Sequence, residues 1–207
     1  MLPYICLSRF GIKLRQMQDS DVEKVRRGRN QDFVRKNHFY QDIISEDEHR
    51  RWYEGVARTR DYYLMISNGR QDVGMVYLKN ITEDFNSGHM GLFFWDKQAL
   101  HTRLPLLACI VYADFFFESV GLQNMEAFVR PDNTTVLNFL RYFRFDIVQD
   151  KTLPGFRANG THGSFTTRGP QLLEIAQRLN RDKSTWPLLI DGDRNAQHHA
   201  QVLKLIP

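Results

Sequence analysis

The stretch Gly88-His89-Met90-Gly91-Leu92-Phe93-Phe94-Trp95 decides the fold, together with the residues C-terminal to it: a loop, an apolar helical pattern ending near Gly121, and the segment Met125 to Arg130. A short apolar, aromatic-rich run reads as a strand. Thr102 or a neighbour opens the helix, Pro105 is tolerated in its first turn, and Gly121 suits its end. A strand, a helix and a strand in that order need a crossover, so the two strands are expected side by side and parallel. Two readings of the first strand stay open. It is an ordinary buried strand, or the backbone of Leu92, Phe93 and Phe94 is left unpaired and bonds an extended, amide-bearing ligand as if it were a further strand.

Upstream, Ile12 to Met17 reads as a strand. Asp19-Ser20-Asp21 offers helix-capping side chains before a basic amphipathic stretch toward Asn37. Ser45 with Glu48 three residues on forms a capping box before His49 to Val56. Tyr62 to Ser67, the turn Asn68-Gly69 and Val73 to Leu78 read as a hairpin, and Asp84 to Gly88 as another turn. Downstream, Asn133 or Thr134 caps a helix through Tyr142, and Phe145 to Gln149 is a strand. Gly163 to Thr167 reads as a last strand and Pro170 to Arg181 as a helix, with a tail after Asp182. The chain is thus of mixed α/β class, divided into a domain over 1–168 and a C-terminal helix and tail over 169–207.

The chain has 207 residues, 42% hydrophobic and 25% charged, which suits one globular domain. The formal charge of +4 is spread among acidic neighbours rather than gathered in a stripe, so neither nucleic acid nor a membrane is expected as partner. Cys6 and Cys109 make no disulfide framework. The adjacent His198 and His199 have no further ligand spacing, and no metal is expected. The apolar run around Asp114 is too short to span a bilayer, and no secretory leader is apparent. A cytoplasmic protein is expected; a homodimer stays open.

Three strings carry a family resemblance. Glu126-Ala127-Phe128-Val129-Arg130-Pro131-Asp132-Asn133 resembles the strand and Asn-led helix of the GNAT acyltransferases. Leu137 to Phe145 resembles the close of that helix, with Arg144 where the family has glycine. Arg29 to Trp52 resembles the acceptor side of the branch that acetylates nucleotide-linked amino sugars, as in pseudaminic-acid biosynthesis. The resemblance implies a mixed, mostly antiparallel sheet with a central parallel splayed pair and helices on both faces.

It also implies transfer of acetyl from acetyl-coenzyme A, the cosubstrate, to a primary amine of a small molecule, a sugar nucleotide being one acceptor and a protein N-terminus another. The family's phosphate-binding loop has glycine positions that fall on Leu100 and Thr102 here, with Lys97 at its leading position; His101 and Arg103 add charge. Asn133 matches the helix-cap residue that reaches the coenzyme, and is equally a plain cap. The family's proton-donating Tyr falls on Leu140, with Tyr142 two residues away. His89 is the candidate base, or a strand-end histidine. Arg29, Asn30, His38, Tyr40, His49 and Trp52 are the acceptor-side candidates, with helix surface as the other reading. The rival to an enzyme is a degenerate binding module of the same fold.

Overall fold

The computed structural model describes residues 4–192. Its strands are β1 (Ile5–Arg9), β2 (Ile12–Gln16), β3 (Tyr62–Ser67), β4 (Asp72–Lys79), β5 (Ser87–Phe94), β6 (Asn124–Val129), β7 (Asp146–Gln149), β8 (Phe156–Thr161) and β9 (Leu189–Gly192). Its helices are α1 (Val22–Arg29), α2 (Asp32–Arg35), α3 (Glu46–Val56), α4 (Lys97–Leu100), α5 (Leu104–Asp114), α6 (Thr134–Tyr142) and α7 (His162–Leu179). Among the described residues the strands form one sheet, ordered β7-β8-β6-β5-β4-β3-β2-β1-β9. Every pairing is antiparallel except β5 with β6.

That parallel ladder is short. It joins Ser87 to Asn124, Gly88 to Met125 and His89 to Glu126, and stops. Beyond it β5 pairs only with β4, and β6 only with β8. The expected splay is therefore present, and the edge of β5 from Met90 onward that faces β6 carries no strand partner.

Side-chain alternation along the strands divides the apolar residues into two layers. Tyr62, Leu64 and Ile66 point to the larger core, which α5 and α7 cover; Tyr63 and Met65 point to the smaller one beneath α1 and α3. Helix α5 is buried on every side, and its continuation, Phe115–Ser119, is wound as a π-turn that keeps three consecutive phenylalanines inside. The capping residues act as their types dictate. The Ser45 hydroxyl accepts from the Glu48 amide, and the Asn133 side chain from the Val136 amide.

Three sequence expectations need correction. The first strand is β1, hidden because Phe10-Gly11 gives no strong turn signal; Phe10 and Gly11 nevertheless take φ of 53° and 75°, the left-handed pair of a tight hairpin. The hairpin turn expected at Asn68-Gly69 needs none: β3 and β4 pair antiparallel across it, and the Asn68 side chain accepts from the amides of Arg70 and Gln71. The segment 163–167 is helical: α7 begins at His162, capped by Thr161, and runs unbroken across residues 168 and 169. The chain after Asp182 returns to the sheet as β9, against β1. His198 and His199 lie outside the described residues.

Candidate functional site

A cavity of about 550 Å³ lies beside the point where β5 and β6 part, on the α1–α3 face of the sheet. Its floor is built by alternation: Tyr63 from β3, then Met75, Tyr77 and Lys79 from β4, His89 and Phe93 from β5, and Phe128 from β6. Its walls come from α1 (Val25, Arg29), from α3 (His49, Trp52), from the segment between α2 and α3 (His38, Phe39, Tyr40), and from Leu153.

Of the residues singled out in the sequence, Arg29, His38, Tyr40, His49, Trp52, His89 and Phe93 line this one cavity. Asn30 does not. Its amide donates to the Ile44 carbonyl at 2.8 Å and accepts from the Ile44 amide at 2.9 Å, pinning the wall segment to α1. Leu92 and Phe94 turn to the opposite face, as alternation requires, and Phe94 is buried there. Tyr142 stands 40% exposed on the outer surface, under the Arg168 guanidinium, away from the cavity lining.

The coenzyme-loop candidates form a separate group. Lys97 stands over the Phe33 ring at 4.9 Å, and Arg103 is bonded to the Leu179 carbonyl. The Thr102 hydroxyl donates to the Ala99 carbonyl and accepts from the Leu104 amide, so it occupies one free donor at the start of α5. His101 closes the single turn α4. Leu100 and Thr102 need no left-handed backbone, since the segment is folded as a helical turn. Asn133 caps α6, and Leu140 on that helix is buried.

The electrostatics of the cavity are one-sided. Arg29 donates through Nη2 to the Tyr40 carbonyl at 3.0 Å, while its buried Nη1 has no partner. Lys79 sits over the Tyr77 ring at 5.8 Å and makes no ion pair among the described residues. The acid on the lining, Glu48, accepts from the Tyr40 hydroxyl. Burial, then Arg29 and Lys79, push His38 down to about 3. Burial and then Arg26 push His49 down to about 4, and its ring stacks on Trp52 at 4.7 Å. Both imidazoles are neutral near pH 7.

His89 is held differently. Its Nε2 lies 3.1 Å from a Glu126 carboxylate oxygen, and its Nδ1 lies 3.4 Å from the Asn80 side-chain nitrogen. This arrangement fits the tautomer with the proton on Nε2 and the lone pair on Nδ1. The other Glu126 oxygen faces Arg157 at 4.0 Å. Sequence reasoning missed Glu126, Tyr63, Tyr77 and Lys79. Counting alternate positions back from His89 through the preceding turn would have found the last two on the same face.

A family model described as acetyltransferase (GNAT) domain matches residues 12–146. No match was found among curated proteins. Solved structures share the fold at low identity. Spermidine N-acetyltransferase from Vibrio cholerae, in complex with CoA and spermine, is 13% identical with a TM-score of 0.67, over 75% of this chain and 98% of that one. Mycobacterium smegmatis RimJ, in complex with CoA-disulfide, is 19% identical with a TM-score of 0.65, over 86% and 98%. FdhC, described as a nucleotide-linked sugar GNAT, is 16% identical with a TM-score of 0.64, over 80% and 95%.

Proposed function

Since the chain belongs to the GNAT acetyltransferase family, we propose that it transfers acetyl from acetyl-coenzyme A to the primary amine of a small, negatively charged molecule, an amino sugar linked to a nucleotide. The observation that carries the acceptor class is the excess of positive charge on the cavity lining, where Arg29, with a buried, unpartnered Nη1, and Lys79, without an ion pair, stand against one acid, Glu48. A buried cation without a counter-charge is costly, and a phosphate oxygen is the partner its geometry fits. The stacked His49–Trp52 pair supplies a flat surface suited to a planar ring. A polyamine would meet like charge here.

The unpaired edge of β5 from Met90 onward fits the amide-bearing arm of the coenzyme. The helical turn 97–103 suits its phosphates less well than a glycine loop, since Thr102 already takes the Leu104 amide. When bound, acetyl-coenzyme A supplies an activated thioester. Lys79, opposite His89 in the β4–β5 register, favours the neutral form of an incoming amine by like-charge repulsion of its ammonium. His89 then accepts the proton that the amine gives up on attack, exchanging its long Asn80 contact for it, while Glu126 holds the ring and balances the imidazolium.

The test is release of free CoA from acetyl-coenzyme A with UDP-glucosamine, spermidine or neomycin as acceptor. Turnover confined to the sugar nucleotide supports the reading. Preference for either polycation would sink the acceptor class. Absence of coenzyme binding in a calorimetric titration would leave a binding module of the same fold.

A further inference from the structure

Transfer from a thioester leaves a thiolate, which needs a proton as the C–S bond breaks. The helix α6 carries no group for that step toward the cavity: Leu140 is buried, and Tyr142 is outside on the surface. A different hydroxyl reaches the splay. Tyr77 is directly opposite Gly91 in the β4–β5 register, and Gly91 lies between His89 and Phe93 on the cavity face of β5. A β-carbon on Gly91 would overlap the Tyr77 hydroxyl and ring. The phenol therefore leans across the backbone of β5, within the stretch that has lost its parallel partner. Glycine here is a matter of clearance rather than of φ.

The ring is fixed from the other side. Tyr63 stacks on it at 5.7 Å, and Lys79 caps it at 5.8 Å. No described residue bonds the Tyr77 hydroxyl, so the donor is uncommitted. We infer that Tyr77 is the general acid of the reaction, donating its phenolic proton to the departing coenzyme sulfur.

This rests on the acetyl-transfer reading above. In balanced form, the amine nitrogen forms the C–N bond to the acyl carbon and gives one proton to His89. The C–S pair goes to sulfur, which takes the Tyr77 proton, yielding the amide and a free thiol. His89 then loses a proton to water and the phenolate regains one from water. Burial keeps Tyr77 protonated near neutral pH, and the nearby Arg29 offsets that bias by favouring the phenolate once it forms.

Tyr77→Phe keeps the ring and removes only the hydroxyl. Two measurements test it. The first is turnover of acetyl-coenzyme A with UDP-glucosamine: kcat is expected to fall about a hundredfold, with KM for both substrates within about threefold and Tm unchanged. The second needs no acceptor: free CoA is bound to each protein and its thiol titrated by ultraviolet absorbance. A phenol bonded to sulfur favours the thiolate, so the thiol in the Tyr77→Phe complex titrates at higher pH than in the parent. Equal thiol titrations at equal CoA affinity, or an unchanged kcat, would overturn the role of Tyr77 while leaving acetyl transfer intact. A rise confined to the acceptor KM would make the hydroxyl an acceptor ligand, which also overturns it. A parent protein that binds no CoA sinks both readings.

Discussion

The His89 imidazole and the Glu126 carboxylate face each other at 3.1 Å across the last rung of the parallel ladder, at the point where β5 and β6 part. The register that makes them partners is the same register that ends there, so the splay and the pair are one feature. An imidazole so held has its ring orientation set by the sheet. His89→Gln is expected to lower kcat by about a hundredfold or more, in the range of general-base loss. Glu126→Gln should lower kcat less, leave KM unchanged, and shift the His89 ring nitrogens toward a mixture of tautomers by NMR. Tautomer signals identical to the parent would remove Glu126 from the mechanism.

Arg29 is the anchor proposed for the acceptor's negative charge. Charge-assisted hydrogen bonds contribute about 1.5–3 kcal/mol, so Arg29→Ala should raise the KM for a sugar nucleotide by roughly tenfold to a hundredfold. The affinity for CoA should hardly move. Arg29→Lys should not restore binding, because an ammonium lacks the planar fork. An equal loss for acetyl-coenzyme A would move the anion site to the wrong substrate.

As the proposed seat of the coenzyme phosphates, the segment 97–103 would trade stability against affinity. Thr102 satisfies the Leu104 amide, and a cap of this kind is worth about 1 kcal/mol. Replacing Leu100 and Thr102 together by glycine frees that donor and opens the backbone. Calorimetric titration should show tighter CoA binding, while the melting temperature drops by a few degrees. Weaker binding in the double variant would mean that the Thr102 hydroxyl itself serves the ligand.

Arg144 stands with φ of 64° just past α6, where its amide bonds the Arg141 carbonyl and the next amide reaches Leu140. A left-handed non-glycine residue costs about 1 kcal/mol. Arg144→Gly should therefore raise thermal stability by roughly 2–4 °C, as expected for a chain of this length. The side chain is exposed, so little else is lost.

His38 and His49 are folded in neutral form, pushed down to about 3 and about 4, whereas a free imidazole titrates near about 6.5. Below that value the unfolded chain takes up protons that the folded chain refuses, so stability falls as pH drops from about 6.5 toward 4. His38→Gln should flatten the dependence of the urea midpoint on pH. An unaltered slope would show that His38 is not held neutral.

The fold was legible wherever a short pattern and a local physical rule coincided. Ser45, Asn133 and the Tyr62–Ser67 strand are examples, as is the strand–helix–strand order that required the parallel pair. The β1–β2 turn escaped because Phe10 has no chemical mark for its left-handed backbone. The 162–179 helix was misread because Gly163, Gly169 and Pro170 look like breakers, while the Thr161 cap and burial of Phe165 and Leu172 outweigh them. On the site, side chains named for their chemistry were found together when they lay on α1, α3, β5 or the segment between α2 and α3. Asn30 was not, since a polar side chain near a site is as readily spent on backbone. Tyr77 has no sequence motif: its position depends on the missing side chain of Gly91, fourteen residues away in sequence, and on the register between them.

Strand β9 covers the edge of β1, with Ile5 paired to Gly192, so the first and last described strands are neighbours. During synthesis this rung is unavailable until almost the whole described chain has been made. Until then β1 presents an open edge of the kind that recruits other chains. The order of translation thus makes closure of this sheet its latest event, and pairings so distant in sequence are slow to form. A nascent chain stalled before Leu189 would have the cavity residues in hand and still carry an adhesive border.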